Sequence, residues 1–271
     1  MQFFDPKYDP APGWVTAPEA KGLAMDSHGD IIFGRVLTPA LYENEGPRPV
    51  VVLCHGFPGQ EQNIDLAQAL RRAGYYVVYF SYRGVWGSHG NYAFTHLIED
   101  VHTVVDYVRS GKTGLPLDTE NIYLIGHSMG GFAALNALAT GLQVKKAILM
   151  APCDHASRYF ANREKFLAGL PGKATNGIFH VEHPNVWVEE FEAHAGDWHF
   201  PNLVARLPRI PYRFIGGLRD ALTPPEQHIK PLLGKLQAAG FDTEYHTFDD
   251  GHSFPANRVA LADLAAKLLE E

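Results

Sequence analysis

Cysteine is nearly absent: Cys54 and Cys153 are the only two in 271 residues. So few in so long a chain exclude a disulfide framework. Both lie in or at the end of apolar runs, where a free thiol behaves as a small buried hydrophobe. Long hydrophobic stretches are missing too, since none approaches the roughly 20 residues that cross a bilayer. The first 14 residues hold Asp5, Lys7 and three prolines but no apolar segment of a signal peptide. The expectation is therefore a cytoplasmic protein with no membrane contact. Basic charge is in deficit, 23 Lys and Arg against 30 Asp and Glu, for a formal net charge of −7. With no basic run either, a nucleic-acid partner is not expected.

What is present fits a globular enzyme-sized domain. Hydrophobic residues make up 46% and charged residues 20%, the ordinary balance of a buried core and a solvated surface. A single α/β domain over residues 1–271 accommodates this length. Six short apolar runs, at 50–54, 75–81, 122–125, 147–150, 212–215 and 244–248, read as strands. The first four are nearly continuous in Val, Ile, Leu, Tyr and Phe, as in parallel sheets covered on both faces. Between them apolar residues recur with helical period: Leu66, Ala69, Leu70 and Ala73; Leu97, Val101, Val104, Val105 and Val108; residues 132–139; Leu232, Leu233 and Leu236; Leu261, Leu264, Ala265 and Leu268. Alternating strands and helices predict parallel βαβ units. In 21–38, Gly29-Asp30 separates two candidate strands and predicts an antiparallel hairpin at the sheet edge. From about 154 to 207 the alternation stops, and aromatics and histidines are scattered instead. An insertion of that length is rarely plain loop. It reads as a partly helical cap over the carboxyl edge of the sheet, with Trp187 and Trp198 as candidate substrate contacts.

Chemistry concentrates at three loops. Gly126-His127-Ser128-Met129-Gly130-Gly131 follows a strand and opens a helix. A serine on such a turn projects its Oγ above the sheet, and side chains at 126 and 130 would collide with backbone. Cys54-His55-Gly56-Phe57-Pro58-Gly59 follows an earlier strand. The N–H groups of Phe57 and Met129 are the candidate oxyanion hole, since Pro58 has none to give. His55 reads as a residue that holds this turn. Fourteen histidines compete for the role of base. His252 is selected because Gly251-His252 lies between the last strand and the last helix, at the edge where open α/β sheets build their sites. Asp220, soon after a strand, is the candidate acid that fixes the imidazole tautomer. Asp249 and Asp250 are its rivals, read instead as turn formers. His180-Val181-Glu182-His183 lacks the spacing of a metal motif. No metal or organic cofactor is expected.

These motifs, with Ser81-Tyr82-Arg83-Gly84 after the next strand, resemble the α/β-hydrolase superfamily, especially its small bacterial esterase and dienelactone-hydrolase-like branches. The resemblance implies a mostly parallel eight-stranded sheet flanked by helices, with the site at its carboxyl edge. It also implies that Arg83-Gly84 and Gly87-Ser88-His89-Gly90 border the site, the arginine in a structural role. Position 128 departs from true dienelactone hydrolases, whose nucleophile is cysteine. The chain is also similar to the catalytic domain of prolyl-oligopeptidase-like peptidases, although the stretch before Val50 is too short for their propeller. The expected activity is hydrolysis of small-molecule carboxylic esters, short acyl or aromatic (hydroxycinnamoyl), through an acyl-enzyme on Ser128. A small serine peptidase or amidase is the alternative. A non-catalytic ligand-binding protein of the same fold is a more distant one. Monomer and homodimer both remain open.

Overall fold

Val50, Val51, Val52, Leu53 and Cys54 are each at most 3% exposed, so this strand is covered on both faces. Its residues alternate between two cores. Val50, Val52 and Cys54 pack with Val101, Val105 and Phe132, whereas Val51 and Leu53 pack with Leu66, Leu70 and Leu261. The period-2 pleat of a strand thus feeds two layers of helices.

The computed structural model describes residues 9–59 and 63–270, so part of the amino-terminal segment weighed above as an export signal lies outside the described residues. The strands are β1 (Ala20–Ser27), β2 (Asp30–Leu37), β3 (Arg48–Cys54), β4 (Tyr76–Phe80), β5 (Leu117–His127), β6 (Lys146–Met150), β7 (Tyr212–Gly217) and β8 (Thr243–Phe248). They form one sheet in the order β1-β2-β4-β3-β5-β6-β7-β8. β1 with β2 and β2 with β4 are antiparallel; every other pairing is parallel. This is the sheet implied by the resemblance. The hairpin turn falls at His28-Gly29, one residue before the predicted position. Both residues have positive φ, 55° and 91°, as a two-residue turn matched to strand twist requires.

The major helices are α1 (Ile64–Arg72), α2 (Phe94–Arg109) and α3 (Met129–Ala139). Between β6 and β7 come five more: α4 (His155–Ala161), α5 (Arg163–Ala168), α6 (Leu170–Ala174), α7 (Val186–Trp198) and α8 (Phe200–Leu203). α9 (Pro225–His228), α10 (Lys230–Ala238) and α11 (Arg258–Glu270) complete the chain. Among the described residues no helix is long and apolar enough to cross a membrane.

The helical insertion is tied down at α7. α2 begins after Ala93, which offers no side-chain cap. The carboxylate of Glu190 on α7 replaces one, accepting from the N–H of Phe94 (2.8 Å), the N–H of Thr95 (2.7 Å) and the Thr95 hydroxyl (2.6 Å). These are first-turn donors that would otherwise lack partners, at the positive end of a helix dipole. His180 adds backbone hydrogen bonds to Gly84 and Tyr92. The insertion is therefore joined to the loop after β4 and to the start of α2.

Candidate active site

Four loops at the carboxyl ends of parallel strands converge on Ser128. The turn that carries it is strained, with φ 56° and ψ −119° at a non-glycine residue. The glycines make that turn possible. A Cβ on Gly126 would lie 2.6 Å from the Gly130 carbonyl oxygen, and one on Gly130 would lie 2.0 Å from that of Cys54. The second contact is far inside van der Waals distance, so α3 can approach β3 only with glycine there. Ser128 N–H donates to the Met150 carbonyl at 2.9 Å, which locks the turn to β6.

Ser128, His252 and Asp220 are brought together. The Ser128 hydroxyl donates to His252 Nε2 at 2.8 Å, and His252 Nδ1–H donates to Asp220 Oδ2 at 2.7 Å. The Asp220 side chain is fully buried and that of His252 is 15% exposed. Burial pushes the Asp220 pKa up. Hydrogen bonds from His252, the Thr223 hydroxyl and the Thr223 N–H outweigh it and hold the carboxyl well below the usual carboxylate range. Asp220 is thus ionised and able to fix the imidazole tautomer.

Asp249 and Asp250 do other work. Asp249 pairs with Arg219 at the surface. The Asp250 carboxylate accepts from Gly251 N–H, Ala256 N–H and Asn257 Nδ2, and so shapes the loop that presents His252. The loops that carry Asp220 and His252 are also stitched by backbone: Arg219 N–H donates to the Asp250 carbonyl and Leu218 N–H to that of Phe248.

Two contributors were not legible in the sequence. Thr223 Oγ1 donates to Asp220 Oδ2 at 2.6 Å and lies 3.0 Å from His252 Nδ1. A threonine in a Leu-Thr-Pro loop carries no signal of that contact; its only hint is its place three residues after the acid. His127, an unspecified position of the serine turn, donates from Nε2 to the His252 carbonyl at 3.0 Å. Burial, then the neighbouring His252, pushes its pKa down to about 4, so it serves as a neutral donor that braces His252.

The loop after β3 lies against Ser128. A Cβ on Gly56 would sit 3.1 Å from that of Ser128, and Phe57 lines the cavity above it. Met129 opens α3, so its N–H is a first-turn donor with no acceptor within the helix. His55 Nδ1–H donates to the Gly56 carbonyl at 2.8 Å, holding the turn from beneath. Trp86 Nε1–H reaches the Pro58 carbonyl at 2.7 Å, so the loop after β4 borders this one. Arg83 is buried and pairs through Nε with Asp100 at 2.7 Å, away from the serine.

A cavity of about 430 Å³ opens on Ser128 and His252. Phe57, Phe94, Phe166 and Trp187 supply its aromatic wall. Trp187 is thus in place, but Trp198 is not. It packs on Phe132, Phe191 and His194, inside the joint between α7 and the sheet layer. Both tryptophans lie on α7 about three turns apart, so they leave nearly the same face of the helix but at opposite ends, about 16 Å apart along its axis. Cys153 also lines the cavity, and burial pushes its thiol up to about 12, which leaves it protonated and not a rival nucleophile. His180 Nδ1–H donates to the Gly90 carbonyl and His183 faces Glu189, so the two histidines have separate partners.

A mostly parallel sheet of this order, with the serine turn between β5 and α3, defines the α/β-hydrolase fold. Residues 45–197 match the family described as serine aminopeptidase, S33, and the chain belongs to that family. An uncharacterized 31.7 kDa protein of Escherichia coli, from the traX-finO intergenic region, is 31% identical over 152 residues. That match covers 54% of this chain and 49% of the relative, so the chain spans about half the length of the curated relatives it matches. Among solved structures, Est1E from Butyrivibrio proteoclasticus is similar with a TM-score of 0.68 at 17% identity, over 92% of this chain and 97% of that one. An acylaminoacyl peptidase of Pyrococcus horikoshii gives 0.67 at 19% identity, over 94% of this chain and 42% of that one. At such identities these likenesses speak for the fold.

Proposed function

We propose that the chain hydrolyses carboxylic esters through an acyl-enzyme on Ser128. The observation that carries this reading is the hydrogen-bonded sequence Asp220–His252–Ser128, whose Ser128 and His252 line a cavity with four aromatic side chains, Phe57, Phe94, Phe166 and Trp187. His252 Nε2 takes the hydroxyl proton as Ser128 Oγ attacks the carbonyl carbon. The N–H groups of Phe57 and Met129 hold the oxyanion, and Asp220 stabilises the imidazolium. The alcohol leaves with the proton from His252. A water, deprotonated by the same nitrogen, then releases the acid and restores the serine.

The cavity size and its four aromatic residues favour short acyl or aromatic acyl groups. A structure of Est1E holds ferulic acid, which supports including hydroxycinnamoyl esters. The alternative, amide or peptide cleavage by the same relay, draws on the family's description and on the acylaminoacyl peptidase likeness. An aminopeptidase must seat a substrate ammonium group. Among the described residues the cavity lining offers no carboxylate other than through the relay itself, and three cations. That speaks for esters.

The test is a panel of 4-nitrophenyl esters of increasing acyl length, a hydroxycinnamate ester and a matched aryl amide, with wild type and Ser128→Ala. Ester turnover should exceed amide turnover, and Ser128→Ala should lower kcat by about 10⁴-fold or more while the far-ultraviolet spectrum is unchanged. Residual turnover near wild type in the variant would remove Ser128 from the reaction. A preferred amide would replace the esterase reading by the peptidase one. Ligand binding without turnover or serine labelling would favour a non-catalytic role.

A further inference from the structure

On the ester-hydrolase reading of this cavity, we propose that its substrate carries a carboxylate on the acyl part, received by Arg158, Lys165 and Lys173. All three line the cavity, and they come from three successive short helices of the insertion, α4, α5 and α6. Among the described residues no aspartate or glutamate lines it. In a chain with 30 acidic and 23 basic residues, such a local excess runs against the overall balance.

The state of these cations distinguishes them from ordinary surface charge. Arg163, which lies in the same run but outside the cavity lining, is paired with Glu192. Arg158 instead donates to the Leu222 carbonyl, and among the described residues no carboxylate lies within ion-pair distance of it. Among the described residues no carboxylate lies within ion-pair distance of Lys165 or Lys173. The carboxylate at the start of α4, Asp154, is occupied by His199, Ser157 N–H and Phe200 N–H. The positive field extends inward. His155, in the same cavity wall, is held well below the usual imidazole range by burial and then by Arg158, His228 and Lys173. A cleft lined by one sign of charge between low-dielectric walls concentrates ligands of the opposite sign. The aromatic residues of the same lining then fit an apolar spacer between the scissile carbonyl and the anion. The acyl part is the one that must stay seated, since it remains bonded to Ser128 Oγ after the alcohol has left.

Two esters of equal chain length separate charge from size: 4-nitrophenyl pentanoate and mono-4-nitrophenyl glutarate, each corrected for its uncatalysed hydrolysis. The quantity read is the ratio of kcat/KM for the anionic ester over the neutral one, which cancels any loss of active enzyme. This ratio should be about tenfold higher in wild type than in the Lys165→Met/Lys173→Met variant, and should fall as salt rises from about 0.05 to about 0.5 M. In parallel, calorimetric titration of Ser128→Ala with 4-phenylbutanoate and with its neutral amide reads binding without chemistry. The carboxylate should bind about tenfold more tightly, and the two lysine substitutions should remove the difference. Esters turned over with a ratio that the lysine substitutions and salt leave unchanged, and no binding preference for the carboxylate, would overturn the inference and leave the esterase reading standing. Carboxylate binding that depends on the lysines, with no turnover of either ester, would uphold the anionic ligand and remove the esterase reading.

Discussion

Thr223 holds a single hydroxyl within reach of both partners of the proposed relay, 2.6 Å from Asp220 Oδ2 and 3.0 Å from His252 Nδ1. It is 2% exposed, so water cannot substitute for it. A hydrogen bond to a charged group contributes about 1.5–3 kcal/mol. Thr223→Val should lower kcat by about tenfold or more with KM little changed, and Thr223→Ser should recover most of it. Equal loss in the valine and serine variants would point to packing, not to the hydroxyl. The serine turn, the oxyanion loop and Gly251-His252 were readable because each needs glycine at a fixed offset from its functional residue. Thr223 and His127 obey no such spacing: their roles arise where loops from different strands meet. Trp187 and Trp198 show the same limit. Sequence places both in the insertion, but only packing decides which one faces the cavity.

At the scale of elements, Glu190 joins two pieces of chain that sequence separates by nearly a hundred residues. Removing it leaves the buried N–H of Phe94 and the half-buried N–H of Thr95 without this acceptor. Glu190→Ala should cost about 1–3 kcal/mol in denaturant unfolding, and proteolysis should cut first between α4 and α7. Unfolding unchanged within about 0.5 kcal/mol would mean that other contacts hold α7. The parallel strands β3, β4 and β6 and the end of β5 were legible because burial on both faces leaves them nearly uninterrupted in apolar residues. β5 was not read in full. It begins at Leu117, where Leu117 and Asp118 pair with Arg48 and Pro49 across an irregularity before Val50. The polar run 118–121 hides that extension. The insertion was expected to be partly helical. Four of its five helices escaped delineation because α4, α5, α6 and α8 are each seven residues or fewer, too short to display a period.

The whole molecule keeps several imidazoles neutral inside it. Burial pushes His55, His127 and His228 down to about 4, and these residues are 2%, 5% and 1% exposed. The unfolded chain takes up those protons near the ordinary histidine value of about 6.5, whereas the folded state resists them. Stability from these groups is therefore complete above pH about 6.5 and is lost progressively as pH falls toward about 4. Asp220 and the other depressed carboxylates extend the loss to lower pH. Urea midpoints should drop between pH 7.5 and 5, and a midpoint constant over that interval would contradict the neutral assignment.

The same molecule also divides its labour between two kinds of scaffold. The residues proposed to react stand on loops fixed by the sheet. The three cations ride on short helices whose only long companion, α7, is fastened elsewhere by Glu190. Stretches 155–161, 163–168 and 170–174 could be rewritten with acidic side chains and leave every backbone contact of Ser128 untouched. Such a chimera would turn this wall of the cavity from a trap for anions into one for amines, so that the pedigree of its chemistry and the history of its diet need not be the same.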